Sequence, residues 1–175
     1  WIGTLFFLIP YNLLMYGIND VFDYESDLRN PRKGGIEGAL LEPKWHRLTV
    51  NASVISCVPF VAYLTFVGSS GSTSWLYLFV FTVIAYSAKG LRFKEKPFLD
   101  SLTSSSHFVG PMIFGLALAG ADLTEFKLLS MILAFTLWGI ASHAFGAVQD
   151  VQADREGGIS SIATVIGARA TVRFA

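Results

Sequence analysis

Residues 1–27 read WIGTLFFLIPYNLLMYGINDVFDYESD, an apolar run that ends in a string of acidic residues. A membrane-spanning helix needs about 20 mostly apolar residues, because each residue adds about 1.5 Å to a path of about 30 Å through hydrocarbon. Residues 1–18 satisfy this requirement as the end of one span. If the helix continues past the membrane boundary, the acidic residues lie on the part of the helix outside the membrane. The stretch therefore predicts a membrane helix that carries carboxylates at one membrane surface.

The composition of the whole chain also indicates a membrane protein. Of its 175 residues, 53% are hydrophobic and 15% are charged, and the mean hydropathy is +0.52. A soluble domain typically carries about 25% charged residues. The net charge is zero, so the chain has no general attraction for nucleic acid, and we expect no such partner.

Further apolar runs predict an all-α fold, a polytopic bundle of membrane helices. The whole chain, residues 1–175, is expected to form one transmembrane domain. Because it opens and closes inside apolar runs, we expect a fragment cut at both ends. The predicted spans are residues 1–18, 48–68, 74–88, 102–120 and 128–147, with the start of a sixth at 159–175.

Basic residues are concentrated in alternate connections between these spans. The connections at residues 19–47, 89–98 and 148–158 contain ten of the 13 Lys and Arg residues. Cytoplasmic loops of membrane proteins carry an excess of Lys and Arg. We therefore expect a multi-pass protein of the cytoplasmic membrane, with its active site facing the cytoplasm.

The first of these connections opens with closely spaced carboxylates. Asp20, Asp23 and Asp27 are three and four positions apart, so on a helix they share one face, and Asn19 precedes them. Three like charges repel, and no basic residue lies between them in the sequence. The pattern therefore indicates a bound multivalent cation. Carboxylate and amide oxygens suit Mg²⁺ that is also held by substrate phosphate oxygens.

The last of these connections opens with a second acidic pair, Asp150 and Asp154, again on one helix face. Such a pair alone is more often a solvated helix end, and the first cluster alone is compatible with an acidic surface. Together, on one predicted membrane side, they favour a cavity in which metal ions bridge a diphosphate. Arg and Lys bind phosphate oxygens. The nearby candidates are Arg29, Arg32, Lys33, Lys89, Arg92 and Lys94.

Three segments of the chain resemble the UbiA superfamily of intramembrane prenyltransferases: NDVFDYESD at 19–27, YSAKGLRFK at 86–94 and DVQAD at 150–154. The resemblance implies a bundle of nine spans, of which about five and the start of a sixth are present. It implies Mg²⁺-dependent transfer of a prenyl group from an allylic diphosphate to a hydrophobic acceptor within the lipid bilayer.

The resemblance also assigns roles to residues by their position. The implied catalytic residues are Asp20, Asp23, Asp27, Asp150 and Asp154, and the implied metal-binding residues are these five with Asn19. The residues implied to bind the diphosphate are Arg29, Arg32, Lys33, Tyr86, Lys89, Arg92 and Lys94.

Residues 29–38, RNPRKGGIEG, bear on the identity of the acceptor. Members of the superfamily that prenylate quinone precursors usually carry an RPxPSG-like stretch here, and this chain departs from it. The run resembles the lycopene elongase branch, which adds a dimethylallyl unit to each end of lycopene toward C50 carotenoids. We therefore expect lycopene as the acceptor, with an aromatic quinone precursor as the alternative.

Other polar residues leave alternatives open. Asp100 is either a helix N-cap or a further polar contact, and His143 is expected to be a hydrogen-bonded histidine of the bundle, with a cavity position as the alternative. A cation-coupled transporter is a competing function, but it would carry its acids near the bilayer midplane. A structural membrane subunit would not need two acidic motifs and a set of bases. Cation-dependent release of diphosphate distinguishes the enzyme from both.

Overall fold

The structure is a computed structural model that describes residues 1–30, 33–35, 38 and 40–175. These residues confirm the all-α prediction, and their only β-type pairing is an isolated bridge between Gly35 and Gly38. A short 3₁₀ helix, Phe93–Glu95, precedes the fifth of the α-helices. The α-helices are α1 (Ile2–Leu8), α2 (Pro10–Asp27), α3 (Pro43–Val67), α4 (Ser70–Ser87), α5 (Leu99–Leu118), α6 (Phe126–Gly157), α7 (Ile162–Ile166) and α8 (Ala168–Phe174).

Three helical segments of the described chain are long and apolar enough to cross a membrane. They are Ile2–Asp27, which combines α1 and α2, and the helices α3 and α6. Helices α4 and α5, of 18 and 20 residues, lie where the third and fourth spans are predicted. Their hydropathy is reduced by polar side chains that face the bundle interior, among them the buried Ser72, Ser101 and Ser105.

A proline separates α1 from α2. Pro10 has no N–H to continue the helical hydrogen bonds, and the chain bends at Ile9. Asn12 compensates, because its Nδ2 donates to the carbonyl oxygens of Phe7 at 2.8 Å and Leu8 at 3.2 Å. Polar side chains of this kind allow membrane helices to tolerate proline. The interruption is confined to Ile9, and α2 then continues without a break to Asp27.

Residues 159–175, the predicted start of a sixth span, form two short helices instead of one continuous helix. Ser161 and Thr164 cap α7 reciprocally, each side chain accepting a hydrogen bond from the other's backbone N–H. Gly167 then ends α7 with a φ of +85°, a conformation that glycine adopts without strain. Both short helices pack on α6. The turn at Gly167 therefore redirects the chain along the bundle.

The helices pack in a chain of neighbours: α3 against α2, α2 against α4, α4 against α5, and α5 against α6. Two glycines permit close approach. A Cβ added at Gly110 of α5 would lie 2.6 Å from the ring of Phe79 on α4, and one added at Gly139 of α6 would lie 3.1 Å from the Cα of Ser105 on α5. Small residues at such contacts are a general feature of membrane bundles.

The contact between α5 and α6 gives the first testable prediction. Gly139→Ala places a methyl group against the backbone of α5 and is expected to lower the free energy of unfolding by about 1–3 kcal/mol, as overpacking does. The measurement is thermal unfolding of the detergent-solubilised protein. Gly115→Ala is the matched control, because a Cβ at this helical glycine meets nothing within 4 Å. Equal effects of the two substitutions would contradict the packing argument.

Candidate functional site

Helix α2 carries the first acidic motif at its C-terminal end, as the sequence predicts. Asp23 is buried with 4% of its surface exposed, whereas Asp20 and Asp27 are partly exposed. Asn19 donates a hydrogen bond from Nδ2 to the hydroxyl oxygen of Ser87, 3.0 Å away at the end of α4. The motif is therefore fixed against the neighbouring helix at its first residue.

Basic side chains from distant parts of the chain balance this motif. Asp23 accepts hydrogen bonds from Lys94 and from Arg92, whose Nη2 lies 3.4 Å from the Asp23 Oδ1. The Nζ of Lys33 lies 3.3 Å from Asp27 and 3.8 Å from Asp20. The sequence between the carboxylates contains no base, but the tertiary structure supplies three. The first acidic motif is thus paired with basic side chains from two later segments of the chain.

The connection between α4 and α5 delivers Arg92 and Lys94 to the site. Arg92 adopts a left-handed backbone conformation with φ of +40°, and it also pairs with Glu95. Burial lowers the pKa of Lys94 to about 8, although nearby carboxylates, including Glu95 and Asp154, act to raise it. The ammonium is still mainly protonated at neutral pH, so it presents a positive charge to the site.

The second acidic motif lies near the C-terminal end of α6. Asp154 accepts a hydrogen bond from the hydroxyl of Ser161 at 3.0 Å. The neighbouring Ile162 N–H donates to Asp100 of α5 at 2.8 Å, and Asp100 is 1% exposed. Asp100 is thus a buried polar contact between two helices, one of the two roles that the sequence allowed. It fixes the start of α7 beside the second motif.

Both motifs border one cavity of about 450 Å³. Its wall is formed by the ends of α2, α4 and α6 together with the connections that follow them. The predicted site residues that line it are Asn19, Asp23, Asp27, Arg29, Lys33, Tyr86, Lys94, Asp150 and Asp154. The arrangement places carboxylates of two helices and basic side chains of two connections around a single volume.

Of the predicted site residues, three do not line this cavity and a fourth lies outside the described residues. Asp20 contacts the cavity residue Lys33, and Arg92 pairs with the cavity residue Asp23. Lys89 is exposed and away from the cavity lining. Arg32 lies outside the described residues.

The donor set of the cavity fits Mg²⁺ that is shared with a bound phosphate. In the described part of the chain, no three His, Cys, Asp or Glu side chains are close enough to hold a metal ion by themselves. Each acidic motif nevertheless offers hard oxygens to the cavity, from Asp23 and Asp27 on one side and from Asp150 and Asp154 on the other. Mg²⁺ is usually bound by one or two carboxylates and completed by substrate phosphates.

Several cavity residues were not among the predicted site residues. His143 lines the cavity, which is the alternative position that the sequence left open, and its spacing of seven residues from Asp150 carried that signal. Nothing in the sequence indicated that Ser161 would line the cavity, because its hydrogen bond to Asp154 depends on the turn after α6. The remaining polar residues of this group are Ser26, Asn30 and Gln149.

The structure therefore combines a helical membrane domain with one cavity that is bordered by two acidic motifs, and this combination is that of a membrane enzyme acting on a charged ligand. The chain belongs to the UbiA prenyltransferase family, which it matches over residues 1–175. The family membership confirms the resemblance seen in the sequence and the polytopic helical fold.

Similar proteins point to one branch of this family. The chain is 63% identical over 174 residues to a C(50) beta-cyclic carotenoids biosynthesis protein, LbtBC, of Dietzia sp., covering 99% of this chain and 40% of the relative. It is 56% identical over 174 residues to a lycopene elongase/hydratase of Corynebacterium glutamicum, covering 99% and 60%. A lycopene elongase/hydratase of Halobacterium salinarum is 40% identical over 166 residues, covering 93% and 56%. The chain thus spans 40% to 60% of the length of these relatives. No solved structure matches it significantly.

The buried ion pair between Asp23 and Lys94 gives the second prediction. Lys94→Met removes one of two cations from a carboxylate that is 5% exposed, and we expect the free energy of unfolding to fall by about 3 kcal/mol. Lys44→Met is the control, because the pair of Lys44 with Glu42 is exposed and its loss should cost less than about 1 kcal/mol. Thermal unfolding in detergent measures both.

A double substitution tests whether the effect belongs to the ion pair. Adding Asp23→Asn to Lys94→Met removes the uncompensated charge, so it should recover most of the lost stability. A double variant that is less stable than the lysine variant alone would contradict this account.

Proposed function

We propose that this chain forms the diphosphate-binding part of a membrane prenyltransferase that transfers a dimethylallyl group from its diphosphate to lycopene in carotenoid biosynthesis. The observation that carries the proposal is the single cavity bordered by both acidic motifs and by basic side chains. Family membership supports prenyl transfer, and the relatives named lycopene elongase/hydratase support lycopene as the acceptor. Their names pair elongation with hydration, so we include addition of water in the proposed reaction.

Charge complementarity supports a diphosphate as the ligand of the cavity. The leaving diphosphate carries about three negative charges, and electrostatic stabilisation is most effective where such charge develops. Arg29, Lys33 and Lys94 line the cavity, and the two lysines are held in place by carboxylates of the first motif. A bound diphosphate would share these ammonium groups with the carboxylates, so the bases are already oriented before the ligand arrives.

The two acidic motifs are the proposed holders of Mg²⁺, with Asn19, Asp20, Asp23 and Asp27 on α2 and Asp150 and Asp154 on α6. When bound, Mg²⁺ supplies positive charge that neutralises the diphosphate oxygens and favours departure of the leaving group. The carboxylates of the chain hold the charge balance before substrate binds, through their pairs with Lys33 and Lys94.

Tyr86 is the proposed neighbour of the allylic cation. Its ring lines the cavity at the end of α4 and makes edge contacts with two histidines, His107 at 5.2 Å and His143 at 6.4 Å between ring centroids. An aromatic face attracts a cation, most strongly where water is excluded. The ring also lines a second, more apolar cavity on the side of the bundle interior, in which a hydrophobic acceptor would lie.

The proposed protein is integral to the cytoplasmic membrane, with the cavity open to the cytoplasm. Three helical segments are long and apolar enough to cross a bilayer. The cavity lies where α2, α4 and α6 meet their connections, which are the basic ones. An excess of Lys and Arg is the general mark of cytoplasmic loops.

Loss of transfer on removal of either acidic motif is the third prediction. In membranes that contain the full-length protein, dimethylallyl diphosphate, lycopene and Mg²⁺, Asp23→Asn and Asp150→Asn should each lower turnover by about 100-fold or more. The matched control is Asp122→Asn, because Asp122 is exposed in the turn before α6 and its carboxylate bonds to the nearby Thr124. Diphosphate release and the mass of the carotenoid products are measured together.

The same assay separates the competing functions. Near wild-type turnover in both acidic variants would show that the metal and diphosphate proposal is wrong. Transfer to an aromatic quinone precursor but not to lycopene would identify the alternative acceptor. The absence of any diphosphate release by the wild-type protein would remove the enzyme proposal altogether and favour the transporter.

A further inference from the structure

The hydroxyl of Ser161 is a polar group of the cavity wall that the proposed function does not use. It donates a hydrogen bond to the Oδ2 of Asp154, which lies 3.0 Å away. Only 6% of Ser161 is exposed, and both residues line the charged cavity. The bond engages one carboxylate oxygen of Asp154 and leaves the other available to a ligand. Ser161 therefore restrains a carboxylate that borders the proposed diphosphate site.

The turn after α6 brings these two residues together although they are seven positions apart. Gly158 ends α6 in a left-handed conformation with φ of +69°, which is a common way for a helix to end. The N–H of Ile159 then donates to the carbonyl oxygen of Asp154 at 2.8 Å. Asp154 is thus held at its backbone by the turn and at its side chain by Ser161.

Two further contacts fix Ser161 itself. Its hydroxyl oxygen accepts a hydrogen bond from the backbone N–H of Thr164 at 3.4 Å, so its single hydrogen is given to Asp154. The next residue, Ile162, is fully buried, and its N–H donates to the buried carboxylate of Asp100 at 2.8 Å. The hydroxyl is therefore presented by an anchored segment.

A carboxylate held in this way is suited to bind a metal ion. Carboxylates that ligate metals are themselves hydrogen-bonded, and loss of such a bond typically lowers metal affinity or activity about 10- to 100-fold. The reason is that a restrained side chain has already lost the rotational freedom that binding would otherwise remove.

We propose that Ser161 is a positioning residue of the second acidic motif, and that it holds the Asp154 carboxylate in the orientation in which it binds Mg²⁺ together with the diphosphate. This inference rests on the proposed function and adds to it a residue that acts through Asp154.

Ser161 also caps α7, so its effect on the helix must be separated from its effect on Asp154. Thr164 supplies the other half of the capping box, because its hydroxyl accepts a hydrogen bond from the Ser161 N–H at 2.8 Å. Thr164→Ala removes that cap bond and leaves the hydroxyl of Ser161 in place. It is therefore the matched control for a loss of helix capping.

The test measures thermal unfolding of the detergent-solubilised full-length protein with dimethylallyl thiodiphosphate, an analogue whose carbon–sulfur bond resists ionisation. Mg²⁺ is titrated, and the concentration that gives half of the maximal stabilisation is recorded. Ser161→Ala and Ser161→Gly both remove the hydroxyl, and glycine keeps more of the N-cap preference. In both variants we expect this Mg²⁺ concentration to rise at least about tenfold.

Turnover in membranes with dimethylallyl diphosphate and lycopene gives a second measurement. The Mg²⁺ concentration for half-maximal turnover should rise in parallel, whereas turnover at saturating Mg²⁺ should return close to the wild-type value, because the metal-binding carboxylates are intact. A misfolded variant would instead lose turnover at every Mg²⁺ concentration. Ser161→Thr keeps a hydroxyl and should restore the wild-type Mg²⁺ dependence.

The control and the contradicting outcomes are separate. Thr164→Ala should lower the unfolding temperature without ligand and leave the Mg²⁺ dependence unchanged. A wild-type Mg²⁺ dependence in both hydroxyl-free variants would overturn the proposal, and so would an equal shift in Thr164→Ala, which would assign the effect to helix capping. A wild-type protein that Mg²⁺ and the analogue do not stabilise would refute the proposed Mg²⁺ site itself, and this inference with it.

Discussion

The buried carboxylate of Asp23 is the constraint on which the site depends. A charge in a low-dielectric environment is costly unless it is paired, and Asp23 is 4% exposed. Its partners, Lys94 and Arg92, lie about 70 positions away in the sequence. Pairing them fixes the connection between α4 and α5 against the end of α2. The ion pair thus holds basic side chains beside the first acidic motif, at the edge of the cavity.

A second set of polar contacts positions the opposite wall. Asp100, buried at the start of α5, accepts a hydrogen bond from the start of α7, and Ser161 at that start donates to Asp154. The turn after α6 is thereby tied to α5, which packs against α4 and α6. The first wall is anchored to α4 and the second to α5. The packing of α4 against α5 therefore connects the two walls of the cavity.

Tyr86 and Asn19 line two cavities that differ in chemical character. The cavity of about 450 Å³ is lined by carboxylates and ammonium groups, and the cavity of about 220 Å³ is lined mainly by uncharged side chains. This difference suits the proposed reaction, in which the leaving group is a polyanion and the acceptor is a hydrocarbon. The charged groups lie at the ends of α2 and α6 and in the connections, near the predicted membrane surface.

The sequence by itself determined the helical membrane fold and the family, because apolar runs of membrane length and the motifs at 19–27 and 150–154 are local patterns. It also placed each motif at a helix end, since helical spacing depends only on neighbouring residues. Only the tertiary structure decided that Lys94 rather than Lys89 faces Asp23, and that Asp100 accepts a hydrogen bond from the start of α7. Those outcomes depend on how a loop folds back and how two helices pack, and contacts between residues about 60 to 70 positions apart leave no periodic signal in the chain.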